Sequence, residues 1–195
     1  SSIRSYFRTF AGINKESSKR VKEFLTLFID TKNYPLREEA SPECSELAKV
    51  LENSYRAMNI AFIHEWTLLA EAMGVNLFSV INGIKNRKTH NNIMKPGFGV
   101  GGYCLTKDSL LAQWSSDHIA AQPVALDFSL LALRTNDLMP LHSVNLLQQK
   151  KDLRNCKIAV LGVSYREDVG DTRFSPTEIF VRECAKKGAK VQVHD

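Results

Sequence analysis

The chain has 195 residues, 44% of them hydrophobic, enough to bury a substantial core in one domain or two small ones. Its formal charge of +5 is read as a mixed solvated surface, and its basic stretches lack the interleaved aromatics that stack single strands, so no nucleic-acid partner is expected. Apolar runs such as 60–63 and 158–163 fall far short of the roughly 20 residues that span a bilayer and no secretory block follows the start, so a cytoplasmic protein with no membrane segment and four free thiols is expected.

The start, Ser1-Ser2-Ile3-Arg4, lacks a methionine and reads as a fragment or a processed chain. Residues 7–11 are a short extended candidate. A polar helix is predicted over about 15–30, with Phe24, Leu25, Leu27 and Phe28 as its apolar side, and a loop over 32–40. Ser41-Pro42-Glu43 is a strong helix start, because serine caps, proline suits the first helical position and the acid faces the dipole. That helix should run to Met73 before Gly74, a length of about 45–50 Å. Met58, Ile60, Phe62, Ile63 and Trp66 give it two apolar sides, so burial by more than one neighbour is expected.

A short helix follows over 76–84. Lys85, Arg87, Lys88, His90 and Lys95 then mark a basic loop. Helices are predicted over about 106–116 and 124–150, the second bent or interrupted near Pro140. From Lys157 the character changes: 157–163 is a buried parallel-type strand, Ser175-Pro176 opens a helix that Gly188 closes, and 191–194 is a second strand. This is one β-α-β unit of a Rossmann-like domain, and it reads as cut at Asp195 because two strands make no stable sheet. Gly162 and Ser164 lack the rest of a dinucleotide fingerprint. Histidines 64, 90, 118, 142 and 194 show no ligand spacing, so no metal is expected.

Chemistry concentrates in Lys95-Pro96-Gly97-Phe98-Gly99-Val100-Gly101-Gly102-Tyr103-Cys104-Leu105-Thr106-Lys107-Asp108. The glycines let backbone amides approach a ligand and form an anion nest. A thiol, a lysine and a carboxylate follow directly, beside a predicted helix start, which suits a nucleophilic cysteine; composition alone leaves a buried, inert cysteine equally open. Lys49 and Asn53, four residues apart, leave one helix face. Arg166 and Arg173 flank acids ahead of a helix N-terminus, a layout that suits phosphate, with a surface ion-pair loop as the equal alternative.

Three stretches in order carry a resemblance. Gly101-Gly102-Tyr103-Cys104-Leu105-Thr106-Lys107-Asp108 resembles the Gly-Gly-x-Cys-x-x-Lys-Asp signature of the UDP-glucose and GDP-mannose dehydrogenases. Glu46-Leu47-Ala48-Lys49-Val50-Leu51-Glu52-Asn53 resembles the motif on that family's long central helix. The run from Tyr165 to Pro176 resembles the opening of its carboxy-terminal UDP-binding domain. The resemblance implies a mainly α central dimerisation domain followed by the first β-α-β unit of a Rossmann-like domain, with the N-terminal NAD-binding Rossmann domain largely absent. Residues 1–40 would be the tail of that domain, 41–152 the helical domain and 153–195 the start of the UDP-binding domain.

By the same resemblance, the whole protein oxidises a nucleotide-sugar C6 alcohol to a carboxylate in two steps with NAD. Cys104 would be the nucleophile, with Lys49, Asn53 and Asp108 catalytic. Arg87, Lys95, Gly99, Gly101, Gly102 and Arg166 would bind substrate, with Arg87 reaching the neighbouring subunit's nucleotide-sugar, and Lys107 and Arg173 would lie near the cofactor. The implied partners are a UDP-sugar, UDP-glucose first, and a second copy of the chain along the long helix. Alternatives are a sister enzyme acting on GDP-mannose or a UDP-N-acetylhexosamine, or a non-catalytic dimerisation or nucleotide-sugar-binding module. Arg166 stands where the family has lysine, and Tyr103 where a small residue is common. The 195 residues alone are expected to be inactive.

Overall fold

Parallel strands need a crossover between them, and the first forty residues supply one. Strands β1 (Arg8–Phe10) and β2 (Leu36–Glu38) pair in parallel, Arg8 opposite Leu36 and Phe10 opposite Glu38, with α1 (Lys15–Thr26) in the crossover. Asn14 caps α1 in a capping box: its Oδ1 accepts the Ser17 N–H at 2.8 Å, and Ser17 Oγ accepts the Asn14 N–H at 3.0 Å. The computed structural model describes residues 3–195 and divides into two units, Ser1–Glu52 and Asn53–Asp195. Within the first, Phe10 and Ile29 are buried.

Two expectations need correction here. The segment 32–40, read as loop, contains β2, whose polar Leu36-Arg37-Glu38 carries no strand periodicity and is defined by pairing to β1. The helix predicted to residue 30 ends at Thr26, where Leu27 caps it in turn geometry.

Helix α2 (Pro42–Ala72) starts where the sequence placed it, with Ser41 Oγ accepting the Cys44 N–H at 3.4 Å and Glu43 in its first turn. Its residues from Asn53 onward belong to the second unit, followed by α3 (Leu77–Ile84), α4 (Asp108–His118) and α5 (Asp127–Lys150). Asn76 caps α3, its side chain accepting the Phe78 N–H at 3.0 Å. Lys88–His90 is a short 3-10 turn. Helix α5 continues through Pro140, so of the expected bend or interruption the interruption does not occur. Proline there removes one N–H from the ladder; its side chain is fully buried, and the packing gained outweighs the missing bond.

The chain closes with β3 (Lys157–Leu161), α6 (Pro176–Lys186) and β4 (Lys190–His194), the strands parallel with Lys157 opposite Lys190 and Leu161 opposite His194. Ser175 accepts the Thr177 N–H at 3.3 Å, and Pro176 occupies the first turn. Two apolar clusters hold the second unit. Ile63, Ala70, Leu77 and Ile81 join α2 to α3, and Val144, Leu153, Phe180 and Cys184 join α5 to α6 with Ile158 and Val191 of the strands. Fully burying such side chains stabilises by about 1.5–3 kcal/mol each.

Along α2, Ala57, Ala61, Ile63 and Ala70 are buried, whereas Phe62, Trp66 and Leu69 are about half exposed. The expected two-sided apolarity is therefore present, with one side covered within the chain. Among the described residues, no helix is long and apolar enough to cross a membrane.

Candidate active site

Cys104 lies in the turn that leads into α4. Its carbonyl accepts the N–H of Lys107 at 3.2 Å and of Asp108 at 3.0 Å, so the thiol sits one turn ahead of the positive end of that helix. The side chain is exposed. It opens into a cleft of about 500 Å³ lined by Asn53, Arg56 and Ile60 of α2, by 99–105, and by Tyr165, Arg166 and Arg173. The lining holds three arginines and no acidic side chain, so the cleft wall is electropositive.

Backbone conformation makes this loop depend on glycine at two positions. Gly102 has φ +84°, and a Cβ at Gly101 would stand 2.5 Å from Tyr165 Cβ and 2.8 Å from the Phe174 carbonyl. The Gly102 N–H donates to the Arg173 carbonyl at 2.9 Å, and Thr106 Oγ1 donates back to the Gly102 carbonyl at 2.8 Å. The glycine loop and the segment after β3 are thus laid directly against each other. The sequence 97–102 matches Gly-x-Gly-x-x-Gly literally, but it follows no strand and is no dinucleotide fingerprint.

Beneath the thiol lies a buried polar pair. Asn53 Nδ2 donates to Asp108 Oδ2 at 2.6 Å, and Lys107 Nζ donates to Asp108 Oδ1 at 2.9 Å, so both carboxylate oxygens are held. Asn53 and Asp108 are buried, and the bond with Asp108 pushes the Lys107 pKa up. Next to them in sequence, the buried Ser109 Oγ donates to Ser54 Oγ at 2.9 Å and ties α4 to α2. Arg173 grips Asp171 with Nε and Nη2 at 2.9 and 2.6 Å, which holds the Asp171 carboxyl down to about 2.

The structure brings together Asn53, Gly99, Gly101, Gly102, Cys104, Arg166 and Arg173 on one cleft, with Asp108 and Lys107 tied to Asn53 behind it. Arg87 faces a different concavity with Val80, Gly83, Ile84 and His90, and Lys95 is exposed and absent from the cleft lining. Lys49 belongs to the first unit, where its Nζ donates to Glu52 at 2.9 Å. Sequence reasoning missed Arg56 and Tyr165. The signal for Arg56 was its i+3 spacing from Asn53 on one helix face; nothing local marked Tyr165 as the wall behind Gly101.

Residues 43–137 match the central domain of the UDP-glucose/GDP-mannose dehydrogenase family, and residues 159–195 match that family's UDP binding domain. The chain is 33% identical over 190 residues to the UDP-N-acetyl-D-mannosamine dehydrogenase of Methanocaldococcus jannaschii, covering 96% of this chain and 41% of that protein. It superposes with a TM-score of 0.84 on the NDP-N-acetyl-D-galactosaminuronic acid dehydrogenase of Methanosarcina mazei Go1, at 33% identity, over 100% of this chain and 43% of that one. A UDP-glucose dehydrogenase from Pyrobaculum islandicum superposes with a TM-score of 0.82 at 27% identity, over 97% of this chain and 43% of that one. The chain thus spans about two-fifths of the length of these relatives. With the matched domains and the ordered motifs in agreement, the chain belongs to the UDP-glucose/GDP-mannose dehydrogenase family.

Proposed function

We propose that this chain carries the nucleophile and part of the sugar-nucleotide site of an NAD-dependent nucleotide-sugar 6-dehydrogenase, and that the substrate is a UDP-N-acetylhexosamine rather than UDP-glucose. The observation that carries the reaction class is the exposed Cys104 thiol in a cleft lined by three arginines and glycine backbone. A diphosphate suits Arg56 and Arg166, and a sugar carbon brought to the thiol completes the fit. The choice of sugar rests on the relatives at 33% identity, which act on N-acetylated sugars by name, against 27% for the UDP-glucose enzyme.

In this reading Cys104 Sγ adds to the C6 aldehyde produced by the first oxidation. The carbonyl oxygen becomes an oxyanion and then the hydroxyl of a thiohemiacetal. Loss of hydride from that carbon leaves a thioester on Cys104; water attacks it, the thiol departs and the sugar carboxylate is released. Asp108, held by Asn53 and Lys107, positions the water and takes its proton, while Asn53 and the Lys107 ammonium set the polarity in which the oxyanion forms. Lys107 and Arg173, both within electrostatic reach of Cys104, fit the anionic pyrophosphate of NAD by donor chemistry and would hold it at this edge. Bound NAD supplies the hydride acceptor for both oxidations.

The exposed apolar side of α2, with Phe62, Trp66 and Leu69, suits pairing with a second copy. Light scattering of the full-length protein checks this: a dimer is expected, and a strict monomer at high concentration counts against it. For the substrate, NADH formation by the full-length protein is measured with UDP-N-acetylmannosamine, UDP-N-acetylgalactosamine, UDP-glucose and GDP-mannose. The N-acetylated UDP-sugars are expected to lead in kcat/KM by at least about tenfold. A lead for UDP-glucose overturns the choice of sugar, and turnover of none of the four overturns the reaction.

A further inference from the structure

Tyr103 precedes the thiol directly, and its ring, half exposed, has three neighbours. Lys107 Nζ lies 4.8 Å from the ring centroid, Arg173 Cζ 5.8 Å, and the Phe174 ring 6.1 Å. Each cation is also held by a carboxylate, Lys107 by Asp108 at 2.9 Å and Arg173 by Asp171 at 2.6 Å. Phe174 adopts φ 53°, an uncommon value for a bulky side chain, and this keeps its ring beside Tyr103. The ring is thus shared by cations that come from two separate segments, one at the start of α4 and one before α6, and the next residue is the thiol.

We propose that Tyr103 is a positioning residue: its aromatic ring gathers Lys107 and Arg173 beside Cys104 and so sets the positive field in which the thiol meets an anionic reactant. An aromatic face attracts cations, most strongly where water is partly excluded, and a planar guanidinium stacks on it readily. A serine or alanine at 103 offers no such face. Lys107 and Arg173 would then be restrained only through Asp108 and Asp171, and their charges would spread into solvent. Tyr103 touches no reacting atom in this account and acts through the two cations. The catalytic consequence rests on the reading of Cys104 as nucleophile, but the field at the thiol does not.

The test uses the full-length protein and reads alkylation of Cys104 by mass spectrometry. Two reagents of the same chemistry are compared, anionic iodoacetate and neutral iodoacetamide, each under pseudo-first-order conditions at low ionic strength. Their rate ratio reports the local potential and divides out the thiol's intrinsic reactivity. Tyr103→Ser is expected to lower the iodoacetate to iodoacetamide ratio by about two- to fivefold, the size of a partly exposed cation–π contact. Tyr103→Phe, which keeps the ring, is expected to retain the wild-type ratio. Circular dichroism matching wild type shows that each variant is folded. An unchanged ratio in Tyr103→Ser overturns the proposal, and so does an equal fall in Tyr103→Phe, because the hydroxyl would then carry the effect. A lowered ratio in Tyr103→Ser alone supports it even where the enzyme turns over none of the sugars tested.

Discussion

Cys184 sits on the inner face of α6, fully buried against Val144, Leu153 and Phe180, where burial first and Glu183 second push its thiol pKa up. Cys104 is exposed, one turn ahead of α4, in a cleft whose lining carries three arginines and no acid. Both are free thiols of one unit, and Lys187 stands near Cys184 as Lys107 and Arg173 do near Cys104, yet only the second has access and backbone room for a ligand. Burial makes a cysteine a small apolar side chain, and the surroundings, rather than the sulfur, decide which thiol does chemistry.

The strongest way to break this contrast is to exchange each thiol for a hydroxyl. Cys104→Ser in the full-length enzyme is expected to lower sugar-acid formation by about 10³-fold or more, with nucleotide-sugar binding by calorimetry largely kept. Cys184→Ser is expected to keep turnover but to lose about 1–3 kcal/mol in urea unfolding, since its hydroxyl enters an apolar cluster without a partner. A Cys104→Ser enzyme with near-normal NADH production, or a Cys184→Ser enzyme that is stable and inactive, would reverse the two assignments.

Next in size is the carboxylate behind the thiol. Asp108→Asn keeps the shape but removes the charge that Lys107 and Asn53 hold, and kcat is expected to fall by about 10²–10³-fold with KM changed much less. A rise in KM alone would move Asp108 from chemistry to binding. Gly101→Ala comes after: its Cβ would meet Tyr165 Cβ at 2.5 Å and the Phe174 carbonyl at 2.8 Å, so the loop must shift. A displacement of this kind costs about 10²-fold or less in kcat/KM, and wild-type rates would show that the loop tolerates the side chain.

These positions were not equally legible in the sequence. Ser41-Pro42-Glu43 and Ser175-Pro176 marked both helix starts, because capping is a local interaction between residues close in sequence. The strand-helix-strand at 157–194 was equally plain from its apolar run and Gly188. The strand β2 was not, since Leu36-Arg37-Glu38 owes its form to the distant β1. That α5 runs on through Pro140 was hidden for the same reason: the sequence shows the missing N–H but not the burial around it. In the cleft, the motif pointed to Cys104, Asn53 and Asp108, and the structure places Asn53 and Asp108 2.6 Å apart across 55 residues. Arg56 and Tyr165 escaped because their place in the lining depends on how α2 and the segment after β3 are packed.

The smallest expected effect sharpens the contrast from the buried side. The Cys184 pKa is higher folded than unfolded, so its contribution to stability is complete below the unfolded thiol value of about 8.5 and is lost as pH rises from there through the folded value. Urea unfolding of the wild type should therefore lose stability above that pH, and Cys184→Ala should flatten the slope. An identical slope in both proteins would place its origin in other groups.

The account turns on a covalent bond to Cys104. Acid quenching of the full-length enzyme during turnover of UDP-N-acetylmannosamine with NAD, followed by peptide mass spectrometry, reads that bond directly. The account predicts a sugar-acyl thioester on the Cys104 peptide, absent without NAD and absent in Cys104→Ser. Steady NADH production with no adduct on Cys104, or with an adduct on another cysteine, would contradict it.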